Sequence, residues 1–274
     1  GEQSKISYAT YIKHRLNGFD GDSPRRTPKD LEEYPAFSKR ASSSGGVPTY
    51  SRPQCVGPIS VKDLKPLEVD LQNFKDALSA SESTDAFMNA ASPGVIAQFQ
   101  PNQHYPDHSS YLYALADAMK VEYEGIAEAG LVIQIDSPDL ALGRHVLFKD
   151  QSDEEFVTMA ELHIEALNHA LQNIPAEQLR LHVCWGNYQG PHHCDIEMKK
   201  ILPAVLKAKP MALSFEGANP RHSHEWSVFR DAKIPENKVL IPGVLDSTTN
   251  FVEHPELVAE RICRFADIVG RERV

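Results

Sequence analysis

Residues 179–184 read LRLHVC, a short apolar run that ends on a histidine and a cysteine two positions apart, His182 and Cys184. Alternating apolar residues suit a β-strand, in which side chains i and i+2 point to the same face. The same pattern recurs on both sides. Upstream, residues 131–136 (LVIQID) end on Asp136. Downstream, residues 211–216 (MALSFE) end on Glu216 and residues 239–246 (VLIPGVLD) on Asp246. Residues 94–99 (GVIAQF) read as a further strand, with Gln98 and Gln100 at its end. Between these runs apolar residues recur at helical spacing: Leu112, Leu115, Met119, Tyr123 and Ile126, then Phe156, Met159, Leu162 and Leu167. Two more helices are expected over residues 196–206 and 251–269.

Strands alternating with helices imply parallel β/α units, and near-continuous apolar strands fit a sheet covered on both faces. A doubly wound sheet and a barrel both satisfy that pattern. The polar residues decide, because they sit where each strand ends. A barrel brings all such ends to one mouth, and an open sheet does not. The expected fold is therefore α/β, a (β/α)8 TIM barrel forming a single domain over residues 1–274. Its first and last strands are expected to be missing, with residues 270–274 approaching a further strand. Residues 20–54, rich in Pro, Ser, Gly and charge, read as a long loop excursion.

With 274 residues, 41% hydrophobic and 24% charged, the composition is that of a soluble globular protein. A net charge of -10 argues against nucleic acid or an anionic membrane as partner. No apolar run approaches the ~18 residues that cross a bilayer. The four cysteines, Cys55, Cys184, Cys194 and Cys263, form no disulfide framework, which points to a reducing, cytoplasmic setting. Small-molecule partners are expected, and a homo-oligomer is compatible with the sequence.

A His and a Cys two apart at a strand end can grip one metal ion. Zinc takes sulfur, nitrogen and oxygen ligands, and Glu216 on the next strand would supply the oxygen. Alone the H-x-C pair is a weak signal, and a core histidine beside a buried cysteine is the plainer alternative.

Several segments together carry a resemblance. Residues 131–138 (LVIQIDSP) resemble the IQIDEP segment of the cobalamin-independent methionine synthase catalytic barrel, and residues 181–185 (LHVCW) its HMCY zinc motif. Residues 212–217 (ALSFEG) resemble its strand ending in a zinc-binding Glu, 242–246 (PGVLD) its GPGVYD segment, and Gly1-Glu2 its HGE segment. Residues 93–98 (PGVIAQ) resemble its KGMLTGP strand. The resemblance implies a TIM barrel and a Zn2+ cofactor on His182, Cys184 and Glu216, with Glu2, Asp136 and Asp246 binding substrate. It implies transfer of a methyl or other alkyl group to a thiol, from methyl-folate to homocysteine in the family's best-known reaction. In the family a final Cys completes the coordination, and its segment would follow Val274.

Some positions depart from the family. Thr248 stands where the family has a His suited to protonating the leaving group. Residues 54–58 (QCVGP) keep only part of the family's RCVKPP, residues 217–224 read GANPRHSH in place of TSRS, and the loop at 186–195 (GNYQGPHHCD) is longer. His192 or His193 in that loop is the candidate replacement proton donor. Arg144 and Arg221 are candidates to meet an anionic thiol. These changes resemble a branch that includes the epoxyalkane–coenzyme M transferases. The remaining alternatives are a metal-free uroporphyrinogen-decarboxylase-like lyase and a non-catalytic binder. His192, His193, His222 and His224 also invite a second metal, although loop histidines at such spacing are more often solvated or hydrogen-bonded.

Overall fold

The apolar runs fold into parallel strands whose register sorts their side chains onto two faces. The computed structural model describes residues 8–24, 26–44 and 52–274; Glu2 lies outside them. Among the described residues, β1 (Leu16–Asp20) and β2 (Gln54–Val61) pair antiparallel. Strands β3 (Phe87–Ala91), β4 (Val132–Ser137), β5 (Leu179–Val183), β6 (Ala212–Phe215) and β7 (Val239–Pro242) form a parallel sheet in that order. Ile133 and Ile135, Leu181 and Val183, Leu213 and Phe215, and Leu240 alternate onto one buried face. Helices His108–Glu128, Asp153–Ala170, Met198–Val205 and Pro255–Val269 follow the strands and join this core. Each such buried side chain contributes about 1.5–3 kcal/mol relative to exposure. A slip of one residue would turn that whole set outward. The register is thereby fixed, and so is the other face.

That other face is polar and half-exposed. Asn89, Gln134 and Arg180 lie side by side in the register, and Ala91, Asp136, His182 and Ser214 form the next row toward the C-terminal ends. The parallel order and the covering helices are those of an α/β barrel; its five strands do not close into a ring among the described residues.

Three expectations are corrected. Residues 94–99 are not a strand: helix Pro93–Phe99 is capped by Ser92, whose Oγ accepts the Val95 N–H at 2.9 Å, with Pro93 in its first turn. The strand is the preceding β3 (FMNAA), whose apolar signal is weaker than that of the GVIAQF that follows. Gln98 and Gln100 therefore belong to a helix and its cap rather than to a strand end. The excursion at 20–54 holds helices Lys29–Glu33 and Pro35–Ser44, and Asp30 is fully buried. Residues Arg271–Arg273 form a 3-10 turn, not the approach to a strand. Cys263 lies on helix Pro255–Val269 and is exposed. No helix among the described residues is long and apolar enough to cross a membrane.

Candidate active site at the strand ends

Because Asp136 and His182 are lateral neighbours on β4 and β5, their side chains meet. Asp136 Oδ1 lies 2.6 Å from His182 Nδ1, with the two side chains 23% and 32% exposed. A carboxylate on Nδ1 fixes the ring and leaves Nε2 as a basic lone pair, the arrangement that supports metal-ligating histidines. Nε2 has no hydrogen-bond partner among the described residues.

Cys184 lies one residue past β5 on the same face. Its Sγ accepts the Gly186 N–H at 3.2 Å. Burial pushes its thiol up to about 12. The Gly186 N–H opposes that rise, while the Asp136, Glu216 and Asp195 carboxylates add to it. A thiol ringed by carboxylates resists ionisation and suits a cation. Glu216, one residue past β6, has Oε1 accepting the N–H groups of Ala218 (2.6 Å) and Asn219 (3.0 Å).

The donor set at adjacent strand ends is thus imidazole nitrogen, thiol sulfur and carboxylate oxygen, which is zinc chemistry. The ligand atoms of the three do not all lie within 4.8 Å of one another, and Cys184 accepts one loop N–H while Glu216 accepts two. Among the described residues, the only triplet whose candidate ligand atoms all lie within 4.8 Å is Glu33, His193 and Cys194.

Asp246 follows β7 and is held in a turn. Its Oδ1 accepts from the Thr248 N–H (2.8 Å) and hydroxyl (2.7 Å), and its N–H is held by Glu253. Thr248 thus serves the turn. Arg144 pairs with Asp153 at 2.6 Å, and the exposed Arg221 reaches the His193 carbonyl at 3.4 Å.

The lengthened loop after β5 is anchored by a buried polar network. Asp195 Oδ2 accepts from His192 Nδ1 (2.8 Å) and His222 Nε2 (2.9 Å); His222 Nδ1 in turn meets Glu225 Oε2 at 2.7 Å. Burial alone would depress His222. The Asp195 and Glu225 carboxylates outweigh it and raise its pKa to about 9. His192 is likewise raised, burial being overcome by Asp195, and its Nε2 donates to the Tyr188 carbonyl at 2.9 Å. Both ring nitrogens of His192 are therefore committed to holding the loop. His193 is exposed, with Nε2 at 2.6 Å from Glu33. The Trp185 ring lies tilted against His222 at 4.4 Å and its Nε1 donates to the Ile196 carbonyl at 2.8 Å, which ties the network to the residue after Cys184.

A second buried relay runs beneath β3 and β4. Ser92 Oγ donates to Asp139 Oδ1 (2.7 Å), Asp139 Oδ2 meets His163 Nδ1 (2.8 Å), and His163 Nε2 meets His108 Nε2 (2.8 Å). Burial, then the His163 charge, lower His108 to about 4, so it stays neutral. Neither network announces itself in the sequence. Asp139 and His163 are 24 residues apart, and Asp195 and His222 are 27.

A parallel α/β-barrel sheet with a His–Cys pair and a Glu at consecutive strand ends defines the class as a barrel enzyme domain. The family model described as "Cobalamin-independent synthase, Catalytic domain" matches residues 90–274, and the chain belongs to that family. It is 27% identical over 279 residues to a methionine synthase of Saccharolobus solfataricus, an alignment covering 100% of this chain and 68% of that protein. It is 27% identical over 206 residues to a methionine synthase of Saccharolobus islandicus, covering 73% of this chain and only 53% of that one. The fold matches the TIM barrel of a B12-independent methionine synthase from Shewanella sp. W3-18-1, solved in complex with selenomethionine. The TM-score is 0.68 at 19% identity, over 97% of this chain and 69% of that chain.

Proposed function

We propose that the chain carries the catalytic centre of a zinc-dependent methyltransferase that alkylates a thiol, with homocysteine as acceptor and methyl-folate as donor. The observation that carries this is the Asp136–His182 bond at 2.6 Å, which leaves Nε2 free at the end of β5, the strand that Cys184 follows, next to β6, which Glu216 follows. Family membership and the names of the two relatives support the same reaction class. Zinc would be held by His182, Cys184 and Glu216, and when bound it would lower the pKa of the acceptor thiol. Asp136, half-exposed beside His182, would orient His182 and meet the ammonium of an amino-acid thiol, with Glu2 and Asp246 as further polar contacts. Glu216 holds two loop N–H groups on Oε1, which leaves Oε2 as the oxygen to offer a metal.

The proton for a folate leaving nitrogen needs a donor. His192 has both ring nitrogens bound, His193 commits Nε2 to Glu33, and Thr248 serves its own turn. That observation favours a second reading of the donor: an epoxide or sulfonium, whose own strain or charge makes smaller demands on an acid.

The test offers the zinc-loaded protein homocysteine with methyl-folate, and separately with a methylsulfonium and a short epoxide, and measures the S-alkyl product. Product from any donor that disappears in Cys184→Ser supports thiol alkylation. Undiminished product in that variant would refute the site.

A further inference from the structure

Helix Lys29–Glu33 presents Asp30 and Glu33 three positions apart, on one face. That face meets the loop after β5. Asp30 Oδ2 accepts the Tyr188 hydroxyl and the His192 N–H (3.1 Å), and Glu33 Oε2 lies 2.6 Å from His193 Nε2. Cys194 comes next in the chain. The ligand atoms of Glu33, His193 and Cys194 all lie within 4.8 Å of one another. We infer that these three residues form a second divalent-metal site, for zinc, distinct from the His182–Cys184–Glu216 set.

Four observations bear on it. The donors are one oxygen, one nitrogen and one sulfur, the borderline-soft mixture that zinc takes at ~2.0–2.3 Å. A cluster of carboxylates alone would not select it. The two loop ligands are adjacent in sequence, and they follow His192, which adopts φ 53, an unusual conformation for a residue with a side chain. The bonds of His192 to Asp30, Asp195 and Tyr188 hold that kink. The loop is also fixed from the β6 side, where Arg221 donates to the His193 carbonyl at 3.4 Å. Finally, Asp30 is fully buried, and its Oδ1 has no hydrogen-bond partner among the described residues. The helix face beside the triplet therefore holds a buried acceptor oxygen with no donor, one turn from Glu33.

The site would act as a clasp. Glu33 belongs to the excursion between β1 and β2, whereas His193 and Cys194 belong to the loop that continues from Cys184. A metal bridging them joins the excursion to the strand-end loop. The inference is independent of the proposed transferase activity.

The experiment is metal counting on the full chain after equilibrium dialysis against zinc alone. Parent, His193→Ala, Cys194→Ser, His182→Ala and the His182→Ala/His193→Ala double variant are compared. The expected content is about two equivalents in the parent, about one in each single variant and none in the double variant. Metal-free far-UV circular dichroism is expected to be unchanged in His193→Ala and Cys194→Ser. Those two positions are exposed or half-buried, so metal loss there is not loss of fold. As a second readout, the thiolate-to-cobalt absorption of Co2+-loaded Cys184→Ser should persist and should vanish when Cys194→Ser is added. A parent-like metal count in both His193→Ala and Cys194→Ser overturns the inference. One equivalent lost only in His182→Ala overturns it too, while leaving the transferase site intact. One equivalent lost only in His193→Ala supports it and removes the basis for zinc at His182.

Discussion

Replacing Asp136 by Asn tests whether the carboxylate behind His182 prepares that histidine as a ligand. Asn keeps the volume and can still accept from Nδ1, so the change removes charge and little else. Asp136 and the neutral His182 ligand form a hydrogen bond to a charged acceptor rather than an ion pair, and with side chains 23% and 32% exposed solvent weakens it. Support of this kind is worth about 10- to 100-fold in metal affinity, or about 1.4–2.7 kcal/mol. The expected result is zinc affinity at the His182 site weakened by that factor, measured by competition with a chromophoric chelator in a Cys194→Ser background. Thermal stability of the metal-free chain should stay near that of the parent. Affinity within twofold of the parent would refute the idea that Asp136 tunes His182.

Gly94→Ala should destabilise the fold by about 2–4 kcal/mol in urea unfolding. A Cβ there would sit 2.5 Å from His163 Nδ1 and closer still to the Asp139 carboxylate, and a neutral result would mean the relay is not packed as described. A pH series tests the Asp195 network. His222 is raised to about 9 from 6.5, so the folded state binds its proton more tightly. That stability is fully present below about 6.5 and is lost as pH rises through about 9, a decline of order 3 kcal/mol for a buried, coupled group. His222→Gln should flatten stability across that window, and an unchanged slope would contradict the assignment.

Much of the sheet was legible in the sequence because its one buried face demands apolar residues at alternate positions or in short runs. β4, β6 and β7 were marked by the runs LVI, MAL and VLI and β5 by the alternation LRLHV, and the polar residues at or just past their ends pointed to the mouth. β3 was not legible. Its FMNAA has only Phe87 and Met88 as large apolar residues, and the stronger apolar run GVIAQF lies in the helix that follows, where Ser92 and Pro93 fix a helical start. The hairpin of β1 and β2 was hidden because more than 30 residues of polar excursion separate its strands. For the site, the i, i+2 spacing of His182 and Cys184 and the position of Glu216 could be read directly. The Asp136–His182 contact follows from strand register, which only the folded sheet supplies. The Asp195 hub and the commitment of both His192 nitrogens depend on loop geometry and had no signal in residue type or spacing.

Zinc-edge X-ray absorption on the Cys194→Ser chain, with and without homocysteine, bears most directly on whether His182, Cys184 and Glu216 hold a metal that takes a thiol substrate. The expected spectrum without thiol has one sulfur scatterer at ~2.3 Å among nitrogen and oxygen neighbours, and homocysteine adds a second sulfur at the same distance. A sulfur number that homocysteine leaves unchanged, or that survives Cys184→Ser, would contradict it.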